Sequence, residues 1–141
     1  MKYNVMLSLR GCQTYENQEP DVIELVTEGV MEQRDCGWDI SYQESELTGL
    51  AGVTTTFQIQ PGKITLSRTG PLRSQMVFQE GLFHESLYEM QFGAMMVTVC
   101  ASRVSYDITP AGGTVDIVYG IEIEQSAIGV VYYHLEIQTI S

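Results

Sequence analysis

The stretch that decides the fold runs from Trp38 to Gly70 and reads WDISYQESELTGLAGVTTTFQIQPGKITLSRTG. Polar and apolar residues alternate through three segments of it, and a period of two is typical of β-strands with one buried face. Pro61-Gly62 predicts a tight hairpin turn between the second and third segments. Glutamates and an arginine share the apolar face, where an unpaired charge is costly. The stretch therefore predicts a sheet with charged groups on its inner side.

The rest of the chain continues this pattern, and no segment holds a helical period. Further strands are predicted at Lys2–Arg10, Val22–Gln33, Leu72–Gln79, His84–Phe92, Met95–Ser105, Val115–Ile123 and Val130–Ile140. A meander of about ten strands rarely stays open and flat, since closure removes the exposed edges. The predicted fold is all-β, a closed antiparallel up-and-down β-barrel of roughly eight to ten strands. A two-sheet sandwich is the alternative.

The sequence alone leaves two features of the barrel undecided. The inward face of Val22–Gln33 is either the one with Ile23, Leu25 and Met31 or the one with Val22 and Val26. A barrel wider than eight strands also has more lumen than side chains easily fill. The polar connection Gly11–Asp21 is a candidate plug for that lumen.

Composition narrows the class of protein. The 141 residues, 44% of them apolar, suit one domain over residues 1–141. A net charge of −11 with seven scattered Lys and Arg predicts no nucleic-acid partner. No apolar run approaches the ~18 residues of a membrane helix and no signal peptide is recognisable, so we expect a cytoplasmic protein without a membrane partner. Cys12, Cys36 and Cys100 form no CxxC pair, which disfavours a disulfide framework.

The charged side chains of the opening stretch can be placed by register. With Pro61-Gly62 at the centre of the turn, the predicted cross-strand partners are Ile59 with Ile64, Phe57 with Leu66 and Thr55 with Arg68. The preceding Thr48–Gly52 connection sets either Glu44 or Glu46 opposite Thr55. In both registers a carboxylate, Thr55 and Arg68 form a row across three adjacent strands near one barrel end.

Two interpretations of this row compete. In the structural one, Arg68 forks onto Glu44 or Glu46, and the pair closes the barrel end. In the functional one, Arg68 receives an anionic head group while the apolar wall receives the tail. The candidate ligand-binding residues at the rim and in the lumen are Glu44, Glu46, Thr55, Arg68, Tyr42, Tyr88, Tyr119 and Tyr133.

Catalytic and metal-binding motifs are not recognisable. Glu44 and Glu46 are about 7 Å apart on one strand, and a neighbouring Arg68 disfavours an acid role for either. His84 and His134 form no metal-ligand spacing, and no phosphate-binding loop precedes a helix. We therefore predict no catalytic residues, no metal site and no cofactor.

Several motifs carry a family resemblance. They are SYQESELTGLAGVTTTFQI at 41–59, ITLSRTG at 64–70, YEMQFG at 88–93, and the later segments GTVDIVYGIEI and HLEIQ. In order and spacing the chain resembles the bacterial family of unknown function typified by the YwiB protein of Bacillus subtilis. The resemblance implies a calycin-like barrel, similar in architecture to lipocalins, and brings no activity, cofactor or catalytic residue with it.

Two classes of function follow from the barrel. The first is a non-enzymatic carrier or sensor of a small amphipathic or anionic molecule. The second is a filled barrel that acts through its outer surface as a structural or regulatory partner, a homodimer included, with Val22, Val26, Val30, Phe83 and Leu87 outside. An enzyme is a third alternative.

Overall fold

Ten β-strands make up the architecture of this computed structural model, which describes residues 2–14, 21–44, 51–90, 93–123 and 126–140. The strands are β1 (Lys2–Thr14), β2 (Asp21–Arg34), β3 (Gly37–Gln43), β4 (Thr54–Gln60), β5 (Lys63–Thr69), β6 (Ser74–Phe78), β7 (Phe83–Met90), β8 (Gly93–Thr109), β9 (Gly112–Ile123) and β10 (Ser126–Thr139). Within these described ranges there is no helix with the length and apolar character needed to cross a bilayer.

All ten strands belong to one sheet, which curls into a nearly closed barrel. The strand order is β6-β5-β4-β3-β2-β1-β10-β9-β8-β7, and every ladder is antiparallel. The predicted antiparallel meander is confirmed, and the single continuous sheet replaces the sandwich alternative. The first and last strands close the barrel by pairing with each other from Val5↔Thr139 to Thr14↔Val130.

The barrel has one weak junction, between β6 and β7, which we call the seam. At one end of the seam Arg73 and Glu89 exchange backbone hydrogen bonds of 2.9 and 2.8 Å. Near the other end the chain after β6 is held by β8 instead, since the Gly81 N–H donates to the Ala101 carbonyl at 2.9 Å. Among the described residues a single isolated bridge, rather than a continuous ladder, thus joins the start of β6 directly to β7.

Alternation places one face of each strand inside the barrel. The sequence did not decide which face of β2 points inward. Pairing with β1 decides it, because directly opposite residues of antiparallel strands lie on the same face of the sheet. Leu9↔Leu25 and Tyr3↔Met31 are partners, so Leu25 and Met31 point inward. Val22 and Val26 point outward and are 47% and 68% exposed. The largest fully buried side chains include Leu7, Met31, Ile40, Phe57, Ile59, Ile64, Leu66, Phe78, Ile117 and Leu135.

Several strands run longer than predicted. β1 continues to Thr14 rather than ending at Arg10, because Gly11–Thr14 still pair with β10. The predicted plug Gly11–Asp21 is therefore partly strand, and its residues 15–20 lie outside the described residues. β8 continues to Thr109 rather than Ser105, past a register shift between Ala101 and Arg103. Backbone pairing on both sides sustains these strands after the apolar alternation has ended.

Candidate functional site

The β4–β5 hairpin has the predicted register. Ile59 pairs with Ile64, Phe57 with Leu66 and Thr55 with Arg68. The turn between the strands contains Gly62 with φ of 74°, a left-handed conformation that glycine adopts without strain. This local chemistry places Arg68 beside Thr55 on the inner face.

The β3–β4 register differs from both predicted alternatives. Tyr42, rather than a glutamate, pairs with Thr55, and the Glu44 N–H donates to the Val53 carbonyl at 2.8 Å. This register pairs the buried Ile40 with Phe57. A shift by two residues keeps the same side chains inward, so alternation alone does not distinguish the predicted registers from this one. The predicted placement of Glu44 opposite Thr55 is therefore wrong, and Glu46 lies outside the described residues.

Glu44 still reaches Thr55, along a diagonal. Both residues are buried, and the Thr55 hydroxyl donates to Glu44 Oε1 at 3.1 Å. Among the ion pairs of the described residues, none includes Arg68. The predicted fork of Arg68 onto Glu44 is thus not formed, and the alternative fork onto Glu46 lies outside the described residues.

Four inward polar residues lie side by side on adjacent strands, and we call them the polar row. Tyr42 on β3 pairs with Thr55 on β4, Thr55 with Arg68 on β5, and Arg68 with Ser74 on β6. The row reaches the seam at Ser74. The isolated bridge of the seam pairs Arg73 with Glu89, the chain neighbours of Ser74 and Tyr88. The polar row therefore ends beside this bridge.

Ser74 is a residue that the sequence analysis missed. It shares the inward parity of Leu72, Met76 and Phe78, and that parity was the signal that could have found it. A serine among apolar residues on one face draws little attention by itself. Its position opposite Arg68 depends on the β5–β6 ladder.

The polar row has a satisfied part and an unsatisfied part. Thr55 and Glu44 are hydrogen-bonded to each other. Arg68 Nε and Ser74 Oγ are buried, and within the described part of the chain neither has a hydrogen-bond partner. A buried polar atom without a partner costs about 1–3 kcal/mol, so each of the two calls for a partner such as a water molecule or a ligand.

Arg68 stays charged despite its surroundings. Burial lowers the pKa of its guanidinium, but electrostatic attraction to the neutral phenol groups around it and to Glu44 more than offsets that effect and raises the pKa above the usual value. These groups are, in decreasing order, Tyr133, Tyr88, Tyr42 and Glu44. The cation is therefore available to a ligand across the physiological pH range.

The tyrosines around Arg68 stay neutral. Burial raises the pKa of Tyr42, Tyr119 and Tyr133, although Arg68 opposes the shift at Tyr119 and Tyr133. Ring contacts fix two of them, since Tyr133 lies 5.8 Å from Phe57 and Tyr119 lies 4.5 Å from Phe78 between ring centroids. Neutral phenols in fixed positions can donate hydrogen bonds to an anion without repelling it.

A cavity of about 360 Å³ lies at this end of the barrel. Its walls include Arg68, Met76, Tyr88, Met95, Tyr119 and Tyr133, and further residues of β1, β2, β8, β9 and β10, Gln13 and Ile23 among them, complete the walls. Four of the predicted candidates thus line one space although they come from four strands. Tyr42, Thr55 and Glu44 do not line it and instead support Arg68 from the β3–β4 side.

Comparison with known proteins places the chain in a family. The family model described as "Domain of unknown function (DUF1934)" matches residues 7–137. The chain belongs to this family. Among curated proteins no match was found.

The DUF1934 chain also has a close structural counterpart. It is similar to the crystal structure of the ywiB protein from Bacillus subtilis, with a TM-score of 0.89 and 18% sequence identity over 99% of this chain and 94% of that chain. The predicted family is confirmed, and at this identity the likeness shows a common fold. Neither comparison brings a function with it.

Metal-ligating and nucleophilic side chains of the DUF1934 chain do not form a second recognisable site among the described residues. No group of three or more His, Cys, Asp or Glu side chains is placed to hold a metal ion among the residues the structure describes. Cys12, Cys36 and Cys100 are free thiols. The cavity beside Arg68 is therefore the candidate functional site with the most complete set of binding groups.

Proposed function

We propose that this DUF1934 protein is a non-enzymatic carrier or sensor that binds a small amphipathic anion in the cavity beside Arg68. The observation that supports the proposal is the buried Nε of Arg68, which has no partner in the described protein and belongs to a residue lining the cavity. An anionic oxygen at this position would satisfy that donor and neutralise a buried charge.

The remaining walls of the cavity suit the apolar tail of such a ligand. Met76 and Met95 are flexible and polarizable, so they adapt to irregular apolar shapes. A volume of about 360 Å³ lies within the usual range of small-molecule pockets. A mostly apolar cavity with a few convergent polar groups is the general form of a ligand site.

The test is a series of probes that share one octyl chain and differ in head group: octanoate, octyl phosphate, octylamine and octanol. Calorimetric titration of the wild-type protein should show one-to-one binding of at least one anion and none of octylamine. Arg68→Met should weaken anion binding at least about tenfold, since it removes a charge-assisted hydrogen bond. Arg103→Met, at an exposed position of β8, is the matched control and should bind as the wild type does.

Two results would contradict the proposed function. If the folded wild-type protein binds neither anion, or if Arg68→Met binds them unchanged, the proposal is wrong. Should Arg68→Met fail to fold, the ranking of the four head groups on the wild-type protein still decides the question.

An outer-surface function is the alternative proposal. Phe83 is 70% exposed at the start of β7, and Val22, Val26 and Val30 are exposed along the outer face of β2. Exposed apolar groups of this kind suit a protein partner or a second copy of the chain. Self-association in light scattering, together with failure of every octyl probe, would favour this alternative.

A further inference from the structure

We infer that binding of an anion in this cavity is coupled to the uptake of one proton by Glu44. This inference rests on the proposed function and adds the regulation of that same site by pH.

Glu44 is the buried negative charge that accompanies Arg68. It is 7% exposed, and its carboxylate accepts a hydrogen bond of 3.1 Å from Thr55, the cross-strand partner of Arg68. Glu44 also attracts Arg68 electrostatically and helps to raise the pKa of the guanidinium. Before an anion binds, one positive and one negative charge therefore offset each other in this part of the barrel.

A bound anion changes this balance. Of the described residues that line the cavity, Arg68 alone carries a charge. An anion that pairs with Arg68 therefore leaves two negative charges beside one positive charge. When two carboxylates or similar anions share a buried site, one of them takes up a proton, because the neutral acid costs far less to bury than an unpaired ion.

Glu44 is the group on the protein that can accept this proton. Among the described residues, the titratable and charged groups that face Glu44 are Tyr42 of β3, Arg68 of β5 and Tyr133 of β10. Both phenols already carry their protons, since burial raises their pKa, and the guanidinium stays charged. Once protonated, the Glu44 side chain keeps a carbonyl oxygen that can still accept from Thr55.

The coupling gives the site a direction of response to pH. If each anion brings one proton with it, the apparent affinity falls about tenfold for each unit by which pH rises, as long as Glu44 is ionised in the unbound protein. The protein therefore takes up its ligand at lower pH and releases it at higher pH.

The experiment counts protons during calorimetric titration with octanoate near neutral pH, in phosphate and in Tris, two buffers with different ionisation enthalpies. Wild-type protein should take up about one proton per octanoate, and its affinity should fall about tenfold per pH unit. Glu44→Gln should take up no proton and should keep its affinity as pH rises, because glutamine has nearly the same shape without the charge. Glu24→Gln is the matched control and should behave as the wild type does, since the Glu24 side chain is 72% exposed on β2.

The outcomes separate the two proposals. Octanoate binding without proton uptake would overturn the coupling and leave the proposed function standing. Uptake that persists in Glu44→Gln would overturn the role of Glu44. If octanoate does not bind, octyl phosphate replaces it, and the difference in uptake between wild type and Glu44→Gln is the quantity compared. Absence of binding of both anions would overturn the proposed function and this inference with it.

Should Glu44→Gln fail to fold, a second measurement decides the question on the wild-type protein. Octanoate labelled with carbon-13 at its carboxyl group reports its own ionisation state through its chemical shift. In the complex near neutral pH it should show the shift of a carboxylate while calorimetry counts one proton. The shift of the neutral acid would place the proton on the ligand and overturn the inference.

Discussion

At the residue scale, two hydrogen bonds of equal length show how burial changes the contribution of a hydrogen bond to stability. Thr55 donates to Glu44 at 3.1 Å inside the barrel, and its neighbour Thr54 donates to Gln43 at 3.1 Å on the exposed side. Inside, the acceptor is a carboxylate that water hardly reaches. Outside, water can replace the donor that is lost, so the two bonds contribute very differently to stability.

Replacement of each threonine by valine, which has nearly the same shape, tests this difference. We expect Thr55→Val to lower the free energy of unfolding by about 1–3 kcal/mol, because a buried carboxylate loses a donor. Thr54→Val is the matched control and should change it by less than about 0.5 kcal/mol. Urea denaturation measures both. Equal losses in the two variants would show that Thr55 does not support Glu44.

At the scale of elements, the outer face of β9 and β10 carries a compact polar cluster. His134 and Asp116 are cross-strand partners, and His134 Nδ1 lies 2.6 Å from Asp116 Oδ1. Tyr132 donates to the same oxygen at 2.8 Å, and Glu136 lies 3.3 Å from His134 Nε2. The hydrogen bond to Asp116 raises the pKa of His134. Burial raises the pKa of Asp116, but hydrogen bonds from His134 and Tyr132 bring it below its usual value.

These shifts give the pair a defined pH window. The contribution of His134 to stability is complete below about pH 6.5 and is lost as pH rises through the raised pKa. The contribution of Asp116 is complete above about pH 4 and is lost as pH falls through the lowered pKa. We therefore expect His134→Gln to cost more unfolding free energy at about pH 5.5 than at about pH 9, by up to about 1 kcal/mol for this partly exposed pair. Urea denaturation at both pH values measures it, and a cost independent of pH would contradict the ion pair.

At the scale of the whole molecule, the barrel is closed strongly on one side and weakly on the other. The β1–β10 ladder is continuous, whereas a single isolated bridge joins the start of β6 to β7 among the described residues. Local opening favours regions with few interstrand hydrogen bonds. The cavity lies beside this weak junction, since Met76 and Tyr88 line it from the two sides of the seam.

Hydrogen exchange followed by mass spectrometry should reveal this asymmetry. We expect peptides from β6 and β7 to exchange fastest among the strands and those from β1 and β10 to exchange slowest, because opening the seam breaks fewer hydrogen bonds. Uniform protection around the barrel would show that the seam is no weaker than the ladders.

The alternation of the chain by itself determined the strands, most of their inward faces and the β4–β5 register that puts Arg68 beside Thr55. These features are local, because a period of two and a tight turn act over a few residues. The tertiary structure alone decided that Tyr42 faces Thr55, that Ser74 faces Arg68, and that Tyr119 and Tyr133 meet Arg68 in one cavity. Those placements depend on competition between buried apolar pairs and on barrel closure through β1 and β10, and contacts between strands distant in the chain leave no periodic signal in it.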